Sequence, residues 1–486
     1  MSAHRGRKAL LALFAGAAIA LSMPGFRFGP LAFVALVPLF LALEKGKGFL
    51  MGFLAGVTFF AIDLRWLLTL YRFNPLVVPG YLLLVIYLAS YLGLFGLIMG
   101  WLGKKWGYGG TLLIMAPFSF TLLEILRAHG PLGNGFSALY QSLYRFPQLI
   151  QVVAFAGPWA LSAAIVFVNT SVYLALRKRP VYLLTGLGMI GFLAGLFLLP
   201  IPQVGEPLKI AVISSNVSQE VKLNGRNLLP LLEKYITLGR QVAVEKPDLI
   251  VFPESILPGY ILHDVRLLPE FTRLAQEAGS HVLFGTGDIR NGKIYNSVAL
   301  ISPQGEILDI YSMVNPVPFG EYIPGRRLLA KIGLGRFAAS FLPQDLARGE
   351  GLIPIKEIGT PICFESTLPA ITRGFAANGA TLLATVTNDA WFVGSSELRA
   401  HFACAVFRAI ETRRYLIQAA NGGISGIIDP RGRILREVTG EGIIAAEVMS
   451  RKDRSLYTHW GEWPLYSVFT VGILAALFCK RRRRSS

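Results

Sequence analysis

The chain has 486 residues, 53% hydrophobic and 16% charged, with 47 lysines and arginines against 29 aspartates and glutamates and a formal net charge of +18. Soluble domains carry roughly 25% charged residues, and disorder requires low hydrophobicity, so these numbers argue against a single water-soluble globule and against an unfolded chain. The positive balance fits either a polyanion-binding surface or a membrane-orientation signal, and its position along the chain separates the two.

Apolar runs that can cross a bilayer core, which takes about 20 residues, centre on 9–23, 31–43, 49–67, 77–101, 110–125, 158–176, 181–200 and 464–479. The first two need their flanks to reach that length. These runs predict a polytopic α-helical membrane domain of seven helices over 1–200, an extramembrane domain over 201–463, and an eighth helix with a basic tail over 464–486. The first run follows a basic head, has no small-x-small cleavage site before Met23, and reads as a retained helix, not a signal peptide. Counted over alternate loops, one side holds fifteen basic residues (Arg5, Arg7, Lys8, Lys45, Lys47, Lys104, Lys105, Arg177, Lys178, Arg179, Lys480 and 481–484). The other side's short loops hold five: Arg27, Arg65, Arg72, Arg127 and Arg145. That bias places both termini in the cytoplasm and 201–463 on the outer, periplasmic face of the inner membrane. Asp63 and Glu124 lie at span ends and are read equally as functional acids or as snorkelled or paired structural ones.

The segment 201–463 holds 27 basic and 26 acidic residues. A balance so near neutral argues against nucleic acid as a partner. The six histidines are scattered, and Gly285-Thr286-Gly287 lacks the rest of a dinucleotide fingerprint, so neither metal nor cofactor is expected. From Leu208 onward, short β-branched runs alternate with amphipathic ones. Strands are predicted over 209–217, 248–255, 281–288 and 380–389, and in a pair joined by the turn Ser302-Pro303-Gln304-Gly305. Helices are predicted over 227–246, 266–279, 368–379 and about 396–415, with a closing strand pair around Asp429-Pro430-Arg431-Gly432. This alternation implies a layered α/β domain whose ligand sites lie at strand ends.

Four chemistry-bearing clusters fall there: Glu254 in Phe-Pro-Glu-Ser, Glu321 in Val-Pro-Phe-Gly-Glu-Tyr, Cys363 in Ile-Cys-Phe-Glu, and Asn388 with Trp391 in Asn-Asp-Ala-Trp. Any one of them reads as an ordinary loop residue. Of the three cysteines, Cys404 sits in a helical pattern as a small hydrophobe and Cys479 at a helix end, which leaves Cys363 as the candidate nucleophile.

Together, in this order and beside the membrane spans, the clusters resemble the nitrilase superfamily and, within it, the apolipoprotein N-acyltransferases. The resemblance covers nearly the whole chain. It implies an α/β nitrilase-like α-β-β-α sandwich on the membrane domain, a phospholipid acyl donor, and a diacylated apolipoprotein as acceptor. It also implies Cys363 as acyl-accepting nucleophile, Glu254 as base, Glu321 as support, and Phe364, Glu365 and Trp391 as pocket wall. Phe364 stands where such enzymes often carry Tyr.

One departure bears on activity. The family's lysine lies in a tract resembling Tyr-x-Lys-x-His-Leu-Val-Pro-Phe-Gly-Glu, and this chain reads Tyr311-Ser312-Met313-Val314-Asn315-Pro316-Val317 through Glu321 without a gap. Met313 occupies the lysine position and supplies neither charge nor hydrogen-bond donor. Three accounts stand at this level: a slower enzyme or one with another donor, Lys293 being a candidate; a non-catalytic lipid- or lipoprotein-binding relative; or a lysine deliberately replaced. For lipid entry, the loop 73–80, the region 131–156, and 332–343 with Phe337 and Phe341 are candidate rims.

Overall fold

The computed structural model describes residues 2–44, 47–106, 109, 112–130, 132–202 and 205–482, without the side chains of 2–5, 106 and 475–482. The expectations for Lys45, Arg483 and Arg484, and for the side chains of Arg5, Cys479, Lys480, Arg481 and Arg482, lie outside the described residues. The chain forms two units, one of Met1–Ile201, Ser395–Ala403 and Ser455–Ser486, the other of Pro202–Gly394 and Cys404–Arg454.

The first unit is helical. Three of its helical stretches, Gly48–Arg72, Val77–Lys105 and Pro158–Arg177, are long and apolar enough to cross a membrane by length and composition, and shorter apolar helices include Tyr182–Leu196 and Trp463–Leu474. The run expected at 31–43 is broken into a 3-10 turn, Gly29–Phe33, and a short helix, Val37–Leu43. Pro30 and Pro38 each sit in a first helical turn, where a missing N–H is tolerated. The side chain of Asn169 serves the interrupted backbone, accepting from Leu36 N–H at 2.8 Å and donating to Ala32 O at 2.7 Å. Helices Gly48–Asp63 and Val77–Trp106 pack backbone to backbone: a Cβ at Gly52 would fall 2.0 Å from Leu92 O, the close approach that small residues give membrane helices. Both span-end acids are paired within this unit. Asp63 accepts from Ser137 Oγ at 2.6 Å and Glu124 from Leu139 N–H at 2.7 Å.

The second unit is the α-β-β-α sandwich. Its strands are β1 Glu206–Ser214, β2 Leu249–Val251, β3 His281–Arg290, β4 Lys293–Ile301, β5 Ile307–Ser312, β6 Ile358–Gly359, β7 Leu382–Asn388, β8 Leu416–Asn421, β9 Ile424–Ile428, β10 Ile434–Thr439 and β11 Gly442–Ser450. One sheet runs β11-β1-β2-β3-β4-β5 and the other β10-β9-β8-β7-β6. The amphipathic helices Leu228–Ala243 and Leu268–Ala278 press Leu231, Tyr235, Phe271 and Leu274 onto Ile213, Ile250, Phe252 and Phe284 of the six-stranded sheet. Strands β7, β8 and β9 are buried along their whole length, as inner strands covered on both faces must be. Helix Pro369–Ala377 sets Phe375 against Gly359 of β6. Cys404 is fully buried. The pattern missed β8 and β11. It also missed the hairpin at Asn291-Gly292, whose φ values of +51° and +71° are those of a two-residue turn that favours this dipeptide. Beyond β6 the chain enters a 3-10 turn, Cys363–Thr367.

Candidate active site

Strands β1, β2 and β3 run parallel, and the chain leaving β2 stays paired with β3. Phe252 N–H donates to Leu283 O at 2.8 Å and Gly285 N–H to Pro253 O at 3.0 Å. A Cβ at residue 285 would fall 2.5 Å from Glu254 Cα, so only glycine lets the Glu254 backbone lie against β3. Glu254 is 7% exposed. Its Oε1 accepts from Asn296 Nδ2 at 2.7 Å, and the same nitrogen donates to Glu321 Oε1 at 3.0 Å. Glu321 Oε2 accepts from Val317 N–H at 2.8 Å. One amide of β4 therefore bridges two carboxyl groups brought in by different loops. Burial raises both carboxyls above the ordinary range, opposed at Glu254 by the Asn296 amide and the Lys222 ammonium; the charge of Glu254 adds to the rise at Glu321, which reaches about 7.

Cys363 opens its 3-10 turn with φ +47°, and Ile362 before it bridges Val386 of β7. Ser255 and Phe319 also hold positive φ, +45° and +63°, so three site loops each contain a residue in a backbone region that L side chains rarely adopt; such strain clusters at functional sites. The thiol is half-buried. Burial first, then Glu254 and Asp389, raise its pKa well above the usual thiol value, against a hydrogen bond with Thr387.

Glu365 acts as a clasp. Its side chain is fully buried and takes the Tyr311 hydroxyl at 2.9 Å on each oxygen, Val314 N–H at 2.8 Å, Asn315 N–H at 3.1 Å and Ile362 N–H at 3.0 Å. It thereby ties the turn of Cys363 to the segment that follows β5. Burial outweighs those donors and raises its pKa to about 7. Met313 is 1% exposed. Its N–H donates to Asn296 O at 2.8 Å and its carbonyl accepts from Gly349 N–H at 2.8 Å, so the Met313 backbone is hydrogen-bonded to the residue that bridges Glu254 and Glu321.

Asn388 closes β7. Its Nδ2 donates to Gln219 Oε1 at 3.0 Å and its Oδ1 accepts from Asn421 Nδ2 at 2.8 Å. Asn421 in turn accepts from Val217 N–H and donates to Val217 O, both at 2.9 Å. This web fastens the short helix Gln219–Leu223 beyond β1, and from that helix the buried Lys222 reaches Glu254 O at 3.5 Å. Burial lowers the Lys222 pKa to about 8, with Glu254 opposing. Lys293 does not join the site. It is exposed at the start of β4, and three residues from Asn296 it points to the opposite face of the strand.

The structure thus brings Glu254, Glu321 and the Met313 backbone around Asn296, with Cys363 in electrostatic reach of the two carboxyls and Asn388 at the margin. Phe364 and Trp391 are half-buried on turns beside Cys363 and Asn388 in sequence. Asn296 and Lys222 were not expected. Asn296 adjoins Lys293 in a strand, and Lys222 follows the end of β1, so a strand terminus was the signal for the latter.

Residues 15–171 match the family profile described as the apolipoprotein N-acyltransferase N-terminal domain, and 210–453 match that of the carbon-nitrogen hydrolases. An apolipoprotein N-acyltransferase of Geobacter metallireducens is 32% identical over 98% of this chain and 96% of its own length. One of Thermotoga maritima is 30% identical over 99% and 96%. The chain belongs to the apolipoprotein N-acyltransferase family. Among solved structures, an amidase of a Nesterenkonia species shares 17% identity with a TM-score of 0.40, covering 54% of this chain and 98% of the amidase. A carbon-nitrogen hydrolase of Helicobacter pylori gives 16% and 0.40, covering 53% and 94%. As an apolipoprotein N-acyltransferase relative, the chain pairs an apolar helical unit with the hydrolase sandwich just described.

Proposed function

We propose that this protein transfers an acyl chain from a phospholipid, through a thioester on Cys363, to the α-amine of the N-terminal S-diacylglyceryl cysteine of exported lipoproteins. The observation that carries this reading is a cysteine on a strained turn whose proton affinity is raised by burial and then by the buried carboxyl of Glu254. A thiol held protonated needs a base, and a carboxyl with raised pKa is a better one. In the first half-reaction, Glu254 takes the thiol proton as sulfur bonds to the ester carbonyl carbon. The C–O bond then breaks, and lysophospholipid leaves with that proton. In the second, the amine attacks the thioester, the C–N bond forms and the C–S bond breaks. Glu254 passes the amine's proton to the departing sulfur. Neither step uses a metal or a cofactor.

Asn296 and Glu321 keep Glu254 in place, and Glu365 keeps the turn of Cys363. Met313 supplies no donor to the oxyanion, a loss that costs about 100- to 1000-fold in rate where one donor is removed. Short helices Arg326–Lys331 and Gly335–Phe341 expose Leu328, Ile332, Leu334 and Phe337, an apolar rim suited to acyl chains. The basic loops support eight spans with the catalytic unit on the outer face.

The test is intact-mass measurement of the purified chain incubated with phosphatidylethanolamine, followed by a diacylated lipopeptide. One acyl chain is expected on Cys363 and then on the peptide, with Cys363→Ala as the blank. Finding neither sinks the reading. Met313 favours the second reading, a non-catalytic lipid- or lipoprotein-binding relative; retained lipopeptide binding without acylation is its signature.

A further inference from the structure

We infer that Lys222 is the cation of this active site, a positioning charge that keeps Glu254 ionised in a chain whose usual lysine position is occupied by Met313. The inference rests on the acyl-transfer reading and deepens it. Glu254, Glu321, Asp389 and the Cys363 thiol influence one another electrostatically. Like charges crowded together favour protonation of Glu254, Glu321 and the thiol, and a protonated Glu254 is no base. Met313 brings no charge to this group. Among the described residues, Lys222 is the buried lysine, 5% exposed.

An ammonium is costly to bury unless it is paired. Lys222 Nζ donates to the Glu254 carbonyl at 3.5 Å, and its charge acts on the Glu254 carboxyl in the direction of ionisation. Its placement is also rigid. The Ser218 side chain caps helix Gln219–Leu223 by accepting from Val221 N–H at 3.3 Å, and the Gln219–Asn388–Asn421 web ties that helix to the end of β7. The lysine thus enters from the end of β1 instead of the end of β5, and reaches the backbone of Glu254 from a different loop.

The test follows the initial rate of Cys363 acylation by phosphatidylethanolamine vesicles, using full-length protein, from about pH 5 to pH 9.5. It compares wild type with Lys222→Met, Lys222→Arg and Lys222→Met/Met313→Lys. Removing an opposite charge shifts a carboxyl by about one to three units. The acid limb of Lys222→Met is therefore expected at least about one unit higher, with a rate near pH 7 down about tenfold or more. Lys222→Arg should keep the wild-type limb. The double variant should regain it, because the backbone of residue 313 is hydrogen-bonded to Asn296, whose side chain bridges the two carboxyls. A Lys222→Met rate within about twofold of wild type at every pH overturns the inference. So does a uniform loss with an unmoved acid limb and no recovery in the double variant, the mark of a purely structural lysine. A wild-type Cys363 that is never acylated overturns the acyl-transfer reading and this role with it.

Discussion

In the proposed reaction Cys363 and Glu254 divide the chemistry because neither can act alone. The thiol is held protonated by burial and by Glu254, Asp389 and Glu321, so the nucleophile exists only while Glu254 takes its proton. Glu254→Gln keeps the size of the side chain and an oxygen for Asn296 but removes the base. Acylation of Cys363 is expected to fall about 100- to 10,000-fold, the usual weight of general-base catalysis, with thermal unfolding near wild type. Single-turnover mass spectrometry reads the first quantity and scanning calorimetry in detergent the second. Met313 concerns a different requirement, hydrogen bonding to the oxyanion. Lys222 reaches the Glu254 carbonyl, so it answers the need for charge and leaves the oxyanion without that donor. Met313→Lys is accordingly expected to speed acylation by about 100-fold; an unchanged rate in the same assay would mean that backbone donors already suffice.

At the scale of elements, the site is held by strand ends and by two devices that lock loops onto them. The first is the contact of β3 with the chain leaving β2. Gly285→Ala puts a methyl 2.5 Å from Glu254 Cα and 2.8 Å from Ser255 N, which must push the base out of line. A misplacement of about 1 Å costs on the order of 100-fold in rate, and that loss, in a protein that still elutes as a folded species, is the expected result. The second device is the Glu365 clasp. Its carboxyl titrates at about 7 when folded against an ordinary 4.5, and Glu321 behaves alike. Between those values the folded state binds more protons than the unfolded one, so stability is greatest at the acid end and falls as pH rises toward 7. Fully buried Glu365 accounts for on the order of 3 kcal/mol of that slope. Melting temperatures should therefore drop between about pH 5 and pH 8, and Glu365→Gln should flatten the dependence. A wild-type profile that is flat over this range would contradict the assignment. These devices explain what the sequence made legible. Glu254 follows a β-branched run, and the strand-end rule finds it; Cys363 lies just past the short β6, and Glu321 sits in a loop nine residues beyond β5, where its motif and not a strand end marks it. Lys222 sits on a helix of five residues, too short for periodicity, and Asn296 lies inside a strand whose register only the folded sheet reveals. Glu365 looks like a pocket residue because it stands two places from Cys363, but hydrogen bonds to β5 and the segment after it decide its role. The fold was legible in its alternation, and β8, the six residues Leu416–Asn421 following a long helix, escaped because so short a run carries no pattern of its own.

At the scale of the whole molecule, the proposed topology reads the charge of +18 as an orientation signal. The segments outside 201–463 hold 20 basic and three acidic residues, and 201–463 is nearly balanced. Loops rich in lysine and arginine stay in the cytoplasm because translocating them is unfavourable; a balanced domain carries no such restraint and can be exported. Acyl transfer to exported lipoproteins needs Glu254 and Cys363 on that outer side. Single cysteines placed at exposed Lys293 and Lys178, in a background with Cys363, Cys404 and Cys479 changed to alanine, separate the two faces. A membrane-impermeant maleimide applied to intact spheroplasts is expected to label the cysteine at 293, within the catalytic unit, and to reach the one at 178 only after lysis. The reverse pattern would put the catalytic unit in the cytoplasm, away from exported acceptors, and would remove the physical basis for the proposed reaction whatever the chemistry of Cys363.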